Sequence, residues 1–140
     1  MAASSKSKLP KRHVVVDQLS RQKAKRRLLR EATRADEPRD VAFRRMILSI
    51  PAGKVSSYGR VAAAAGYPLY HRAVARLLRT DPVDQLPWHR VLGAGGEIKL
   101  RGAAAREQRA RLQLEGVSFK GKKVDLEKFE YTFKPWEIYK

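Results

Sequence analysis

The 140-residue sequence contains no cysteine. That absence excludes disulfides, cysteine-ligated zinc and every reaction that needs a thiolate nucleophile. Histidine is scarce as well: His13, His71 and His89 are too scattered to give a metal-ligand spacing. Acidic residues are few, with 14 Asp and Glu against 31 Lys and Arg, a formal charge of +17. No run approaches the roughly 18 apolar residues that a membrane span requires. The basic N-terminal stretch is not followed by the apolar segment of a secretory signal. These features predict a soluble, intracellular chain without metal or cofactor, whose charge favours a polyanionic partner. Nucleic acid comes first and an anionic membrane second, with a solvated basic tail that touches nothing as the alternative. The length fits one domain around one core.

Organisation changes along the chain. Residues 1–39 carry Lys11-Arg12 and a cluster from Lys23 to Arg30, with few large apolar side chains outside Val14-Val15-Val16. A basic helix over 18–33 would have only Leu19, Leu28 and Leu29 as an apolar edge. The segment reads as a flexible or conditionally helical arm that tracks phosphates, or as a nuclear-targeting or solubilising stretch. The domain proper is expected over 40–119. Asp40 offers an N-cap to a helix with Val41, Met46, Ile47 and Ile50 on its inner side, ended by Pro51-Ala52-Gly53. Ser56 or Ser57 can cap a helix over 58–65, stopped by Gly66. A second helix is predicted from about 69 to 79, broken by Asp81-Pro82. Helix, tight turn and helix form a helix-turn-helix unit. Residues 86–100 read as loop and short extended structure, turned at Gly93, Gly95 and Gly96. A last helix is predicted over 103–115, with Leu112 inward and Gly116 as terminator. The basic aromatic tail, 120–140, is either an extended edge packed on the domain or a second nucleic-acid contact.

Several side chains suit DNA. On the second helix, Ala73 and Ala75 flank Val74 and allow close approach, while Arg72, Arg76 and Arg79 supply charge. Ala-Val-Ala cannot read base edges in a major groove, so low sequence specificity follows. Arg76 and Arg79 fit an ordinary solvated helix face equally well. In Pro87-Trp88-His89-Arg90-Val91, a large aromatic stands where it could stack on a ligand but cannot attack one. Trp88 as a core residue is the plainer alternative.

Three segments carry a resemblance. Val55-Ser56-Ser57-Tyr58-Gly59, His71-Arg72-Ala73-Val74 and Pro87-Trp88-His89-Arg90-Val91, in this order and spacing, resemble the C-terminal domain of the O6-alkylguanine-DNA alkyltransferases. The likeness covers about residues 40–119. Those enzymes carry Pro-Cys-His-Arg-Val and take the alkyl group onto the cysteine. Tryptophan in its place is similar to the alkyltransferase-like proteins, their non-enzymatic relatives. The resemblance implies a mainly α fold, a small helical domain with a winged-helix-like helix-turn-helix. It implies minor-groove docking, with Ala73 and Arg76 among the contacts, and Arg72 entering the duplex in place of an extruded nucleotide. A phosphate contact is the alternative for Arg72.

Tyr58 would press on the phosphate beside the target, or simply sit half-buried at its turn. Trp88, backbone groups near Val91, and Arg101 would line a lesion pocket, with Lys99 as the alternative to Arg101. The enzymes' Tyr-Ser-Gly-Gly has no counterpart there. Pro87, His89, Arg90 and Glu115 would persist as a structural remnant of the alkyltransferase site. The implied function is non-enzymatic DNA damage recognition: binding duplex DNA with O6-alkylguanine, flipping the nucleotide, and marking it for nucleotide excision repair proteins. The implied state is a monomer, in the nucleus of a eukaryote or the cytoplasm and nucleoid of a prokaryote. Two rivals stand beside it. One is a hydrolase using His89 and Glu115 as general base on water; the other is a general or architectural DNA-binding protein without lesion preference.

Overall fold

The computed structural model describes residues 18–27, 36–81 and 86–138. The chain divides between residues 34 and 35 into two compact units. In the first, residues 18–27 are helical (α1) with every side chain exposed, as a sequence with so thin an apolar edge requires. The remainder of the helix expected over 18–33 lies outside the described residues, as do Lys11-Arg12, Val14-Val15-Val16 and Tyr139.

The second unit begins with α2 (Glu37–Ser49). Its N-cap is Asp36, whose carboxylate accepts from the Arg39 amide at 3.1 Å. Asp40, expected as the cap, sits in the first turn, because Pro38 favours that turn and starts the helix earlier. Arg39, expected at the end of the arm, is therefore buried in the domain, its guanidinium 4.9 Å from the Tyr70 ring centroid. The inner face carries Phe43, Met46 and Ile47, whereas Val41, expected inside, is exposed.

Next comes the helix-turn-helix. α3 (Tyr58–Ala64) is capped by Ser57, whose hydroxyl accepts from the Arg60 amide. It ends in a left-handed Gly66 at φ 94°, with Tyr67 N–H bonded to the Ala62 carbonyl and Gly66 N–H to that of Ala63. That pairing is a Schellman turn. α4 (His71–Thr80) starts two residues later than expected. Leu69 is itself left-handed, at φ 77°, which no helix start tolerates. α2, α3 and α4 pack on one another. Two ion pairs pin α2 to the end of α4: Arg44–Asp81 at 3.1 Å and Asp40–Arg76 at 3.8 Å.

Short strands then close the site. β1 (Ser56–Ser57) pairs in parallel with β2 (Val91–Leu92), Ser56 opposite Val91. A 3-10 turn, Trp88–Arg90, immediately precedes β2. This two-residue ladder therefore sets the start of α3 beside the Trp88 turn. α5 (Gly102–Leu114) places Leu112 in the core and ends at a second Schellman turn, with Gly116 at φ 88°. A hairpin of β3 (Phe119–Lys120) and β4 (Lys123–Val124) follows, then short helices α6 (Leu126–Phe129) and α7 (Pro135–Ile138). Val55, Leu92, Leu112, Val117 and Val124 form a core cluster that Phe119 and Phe129 cover. Val55 also bonds to the Phe129 carbonyl and the Tyr131 amide. The described tail packs on the domain, but only its β3–β4 start is an extended edge as expected; residues 126–129 and 135–138 are helical. The fold is mainly α and carries the helix-turn-helix.

Candidate nucleic-acid interface

An open cavity of about 860 Å³ lies between the helix-turn-helix and the Trp88 loop. One wall is the start of α3, with Ser57, Tyr58 and Gly59. A second is the outer side of α4, with His71, Arg72, Ala75, Leu78 and Arg79. The third is Trp88 with Gly93, Ala94, Lys99, Leu100 and Ala104. Helical phase explains the α4 wall: Ala73, Val74 and Leu77 turn into the core, so Arg72, Ala75 and Arg79 turn away from it. Among the described residues the lining holds cations and no carboxylate, and a concave cationic surface attracts anions. Burial pushes the Tyr58 phenol up, so its hydroxyl stays protonated and able to donate.

The structure brings Tyr58, Arg72 and Trp88, three residues distant in sequence, onto this one cavity. Four other expected contacts fall elsewhere. Ala73 is buried against the core; Ala75 is the small α4 residue that faces the cavity. Arg76 turns to Asp40 and Thr80. Val91 is fully buried, its amide bonded to the Trp88 carbonyl and its carbonyl to Gln108 Nε2 at 3.0 Å. That leaves the Val91 backbone groups engaged inside the fold. Arg101 is the exposed N-cap of α5 and does not line the cavity, whereas Lys99 and Leu100 do.

Behind Trp88 lies a dense polar cluster. The Glu115 carboxylate accepts from Arg90 Nη2 at 2.6 Å, from Arg90 Nε at 3.1 Å and from the Gly53 amide at 3.3 Å, and pairs with His89 Nε2 at 2.9 Å. Arg90 Nη1 reaches the Ile50 carbonyl at 2.8 Å. Burial alone would raise the Glu115 carboxyl, but the hydrogen bonds from Arg90, His89 and Gly53 outweigh it and hold it down to about 2. The cluster ties the α2–β1 turn, the Trp88 turn and the end of α5 together, and Pro87 leads into it as the cap of the 3-10 turn.

Sequence reasoning missed two supports on α5. Gln108 is fully buried and donates to the His89 and Val91 carbonyls. Arg111 lies over the Trp88 ring, 5.2 Å from its centroid, and is held by Glu107 at 2.8 Å. The spacing of Glu107 and Arg111, four residues apart on one helix, was the available signal. No group of three or more His, Asp or Glu that could hold a metal occurs among the described residues.

Comparison with known proteins identifies the family and the fold. Residues 39–117 match the family model described as 6-O-methylguanine DNA methyltransferase, DNA binding domain. The chain is 44% identical over 73 residues to the DNA base-flipping protein of Vibrio parahaemolyticus, covering 51% of this chain and 73% of that one. It is 39% identical over 95 residues to Alkyltransferase-like protein 1 of Schizosaccharomyces pombe, covering 64% and 88%. The crystal structure of S. pombe Atl1 in complex with damaged DNA containing O6-carboxymethylguanine superposes with a TM-score of 0.62 at 31% identity, over 71% of this chain and 99% of that one.

Proposed function

The chain belongs to the 6-O-methylguanine DNA methyltransferase DNA-binding family, as an alkyltransferase-like protein, and on that premise we propose that it is a non-enzymatic sensor of O6-alkylguanine in duplex DNA. α4 enters the minor groove through its cavity side. Arg72 fills the place of the extruded nucleotide, a role for which a long planar cation on a rigid helix is suited. Tyr58 crowds the neighbouring phosphate. Flipping costs a few kcal/mol and less at a pair that is already weakened, as guanine alkylated at O6 is. Stacking on Trp88 returns about 1–3 kcal/mol to any flipped base, so the preference for the lesion comes from its lower flipping cost. The flipped, bent DNA is then held for nucleotide excision repair proteins, with the sensor acting as a monomer.

The observation that carries this reading is the convergence of Tyr58, Arg72 and Trp88 on one cavity of about 860 Å³ in a chain without cysteine. The placing of Glu115 and His89 argues against the hydrolase rival. His89 would have to be the base, and His89 is buried with neither residue lining the cavity, so the pair does not reach a water placed there. The test is equilibrium binding at fixed moderate salt to two duplexes differing in one O6-methyl group. A preference for the modified duplex, with the methyl group recovered on the DNA, is expected. Equal affinities would leave only the basic surface at work, and loss of the methyl group would make the protein an enzyme.

A further inference from the structure

One stripe of α5 serves the Trp88 turn, through Ala104, Gln108, Arg111 and Glu115 at helical spacing. Ala104 lines the cavity, Gln108 donates to the His89 and Val91 carbonyls, and Glu115 holds His89 and Arg90. Arg111 lays its guanidinium over the Trp88 ring, 5.2 Å from the centroid. Glu107, one turn earlier, anchors that guanidinium at 2.8 Å. The carboxylate stands four residues before the cation, the favourable order on a helix. His89 meets the same ring edge-on, at 6.2 Å and 85°, and is itself held by Glu115 at 2.9 Å.

Trp88 lines the cavity, whereas Arg111, Glu107 and His89 do not. The indole thus carries a guanidinium on one face and an imidazole at its edge, and its other face is left to the cavity. With its charge taken by Glu107 and its plane laid on the indole, Arg111 is engaged on the fold rather than offered to a phosphate. The pair with Glu107 is partly exposed, at 38% and 55%, and adds little to stability by itself.

We propose that Arg111 is a positioning residue of the lesion site: anchored by Glu107, it fixes the Trp88 indole as a one-faced platform before the base arrives. This rests on the sensor reading above. Arg111 acts through the ring and makes no contact with the DNA. A side chain ordered in the free protein does not have to be ordered on binding, so the flipped base keeps the full stacking gain. A guanine that stays paired in the duplex does not reach Trp88, so Arg111 weighs on the lesion alone.

The test uses the full-length protein with Trp136→Phe, which leaves Trp88 as the sole tryptophan. Arg111→Ala, Glu107→Gln, Trp88→Ala and the Trp88→Ala/Arg111→Ala pair are placed on it. In the free proteins, time-resolved emission anisotropy and acrylamide quenching read the freedom and cover of the ring. Arg111→Ala should add a fast depolarising component and raise the quenching; Glu107→Gln should shift both the same way by less. Affinity is then measured for matched duplexes carrying guanine or O6-methylguanine. Arg111→Ala should lower the methylguanine-to-guanine ratio roughly threefold to tenfold, the weight of ordering one large side chain on binding. On the Trp88→Ala protein it should leave the ratio where it was, because the two residues act as one unit. A loss shared equally by both duplexes would make Arg111 a phosphate contact. Unchanged anisotropy would show that the ring is fixed without it, and a further fall of the ratio on the Trp88→Ala protein would give Arg111 a contact of its own. Each of these overturns the positioning role while a parent preference for O6-methylguanine upholds the sensor. A parent protein without that preference would overturn both.

Discussion

Glu115→Gln is the sharpest test of what holds the Trp88 loop in place. The substitution keeps the shape of the side chain and removes the charge that pairs with Arg90 and His89. Arg90 and Glu115 are 18% and 17% exposed. Removing one partner of a fully buried pair costs about 3–5 kcal/mol, and this residual solvent contact lowers the expected loss to about 2–3 kcal/mol. For a domain of this size the melting temperature should fall by roughly 10–20 °C. The pH dependence has a defined sign. The Glu115 carboxyl stands at about 2 in the fold against 4.5 for a free side chain, so the native state favours the ionised form. Its contribution is complete above about pH 4.5 and is lost as the pH falls from there toward 2. Urea unfolding of both proteins from pH 7 to pH 2 reads this directly. The gap in midpoints should be full at pH 7 and close between pH 4.5 and 2. Equal midpoints at neutral pH, or a gap that stays constant into acid, would refute the reasoning.

Three further outcomes follow from particular residues. Arg76→Ala breaks the pair with Asp40 and should cost about 1–2 kcal/mol in denaturant unfolding; the lesion-to-guanine affinity ratio should not move, whereas a collapse of that ratio would return Arg76 to the DNA face. Gly96→Ala places a Cβ 2.6 Å from the Val124 carbonyl at a backbone φ of 86°. It should cost more than about 1–2 kcal/mol, measured by thermal unfolding. Deleting residues 1–34 should weaken binding to undamaged DNA and flatten the salt dependence by about 0.9 in log–log slope for each phosphate that the arm neutralises. An unaltered slope would make the arm idle.

Much of the fold was legible because its stop and start signals are local. Ser57, Gly66 and Gly116 each act on neighbours within a turn, and the helices they bound fall within two residues of expectation. The errors lie where phase or distance decides. Asp36 and Asp40 are both plausible caps by type, and the choice rests on Pro38. Ala73 and Ala75 are equivalent in sequence, but only the packing of α4 on α2 and α3 shows which of them is buried. Leu69 gives no sign of a left-handed backbone, since leucine rarely adopts one.

The cavity itself was half legible. Tyr58, Arg72 and Trp88 could be named from their motifs, whereas the placing of the third wall opposite the start of α3 depends on the pairing of β1 with β2, far apart in the chain. The β1–β2 ladder is two residues long and leaves no alternation to read. The stacking of Arg111 on Trp88 joins residues with no local signal between them.

The most direct measurement uses tryptophan as its own reporter. The chain has two, and Trp136 is 66% exposed on α7, so Trp136→Phe leaves Trp88 as the sole tryptophan emitter with little expected disturbance. Titrating that protein with matched duplexes should quench Trp88 emission with O6-methylguanine, saturating at one protein per lesion, and leave it nearly unchanged with guanine. Equal quenching by both duplexes, or none by either at saturating binding, would contradict stacking of a flipped lesion on Trp88.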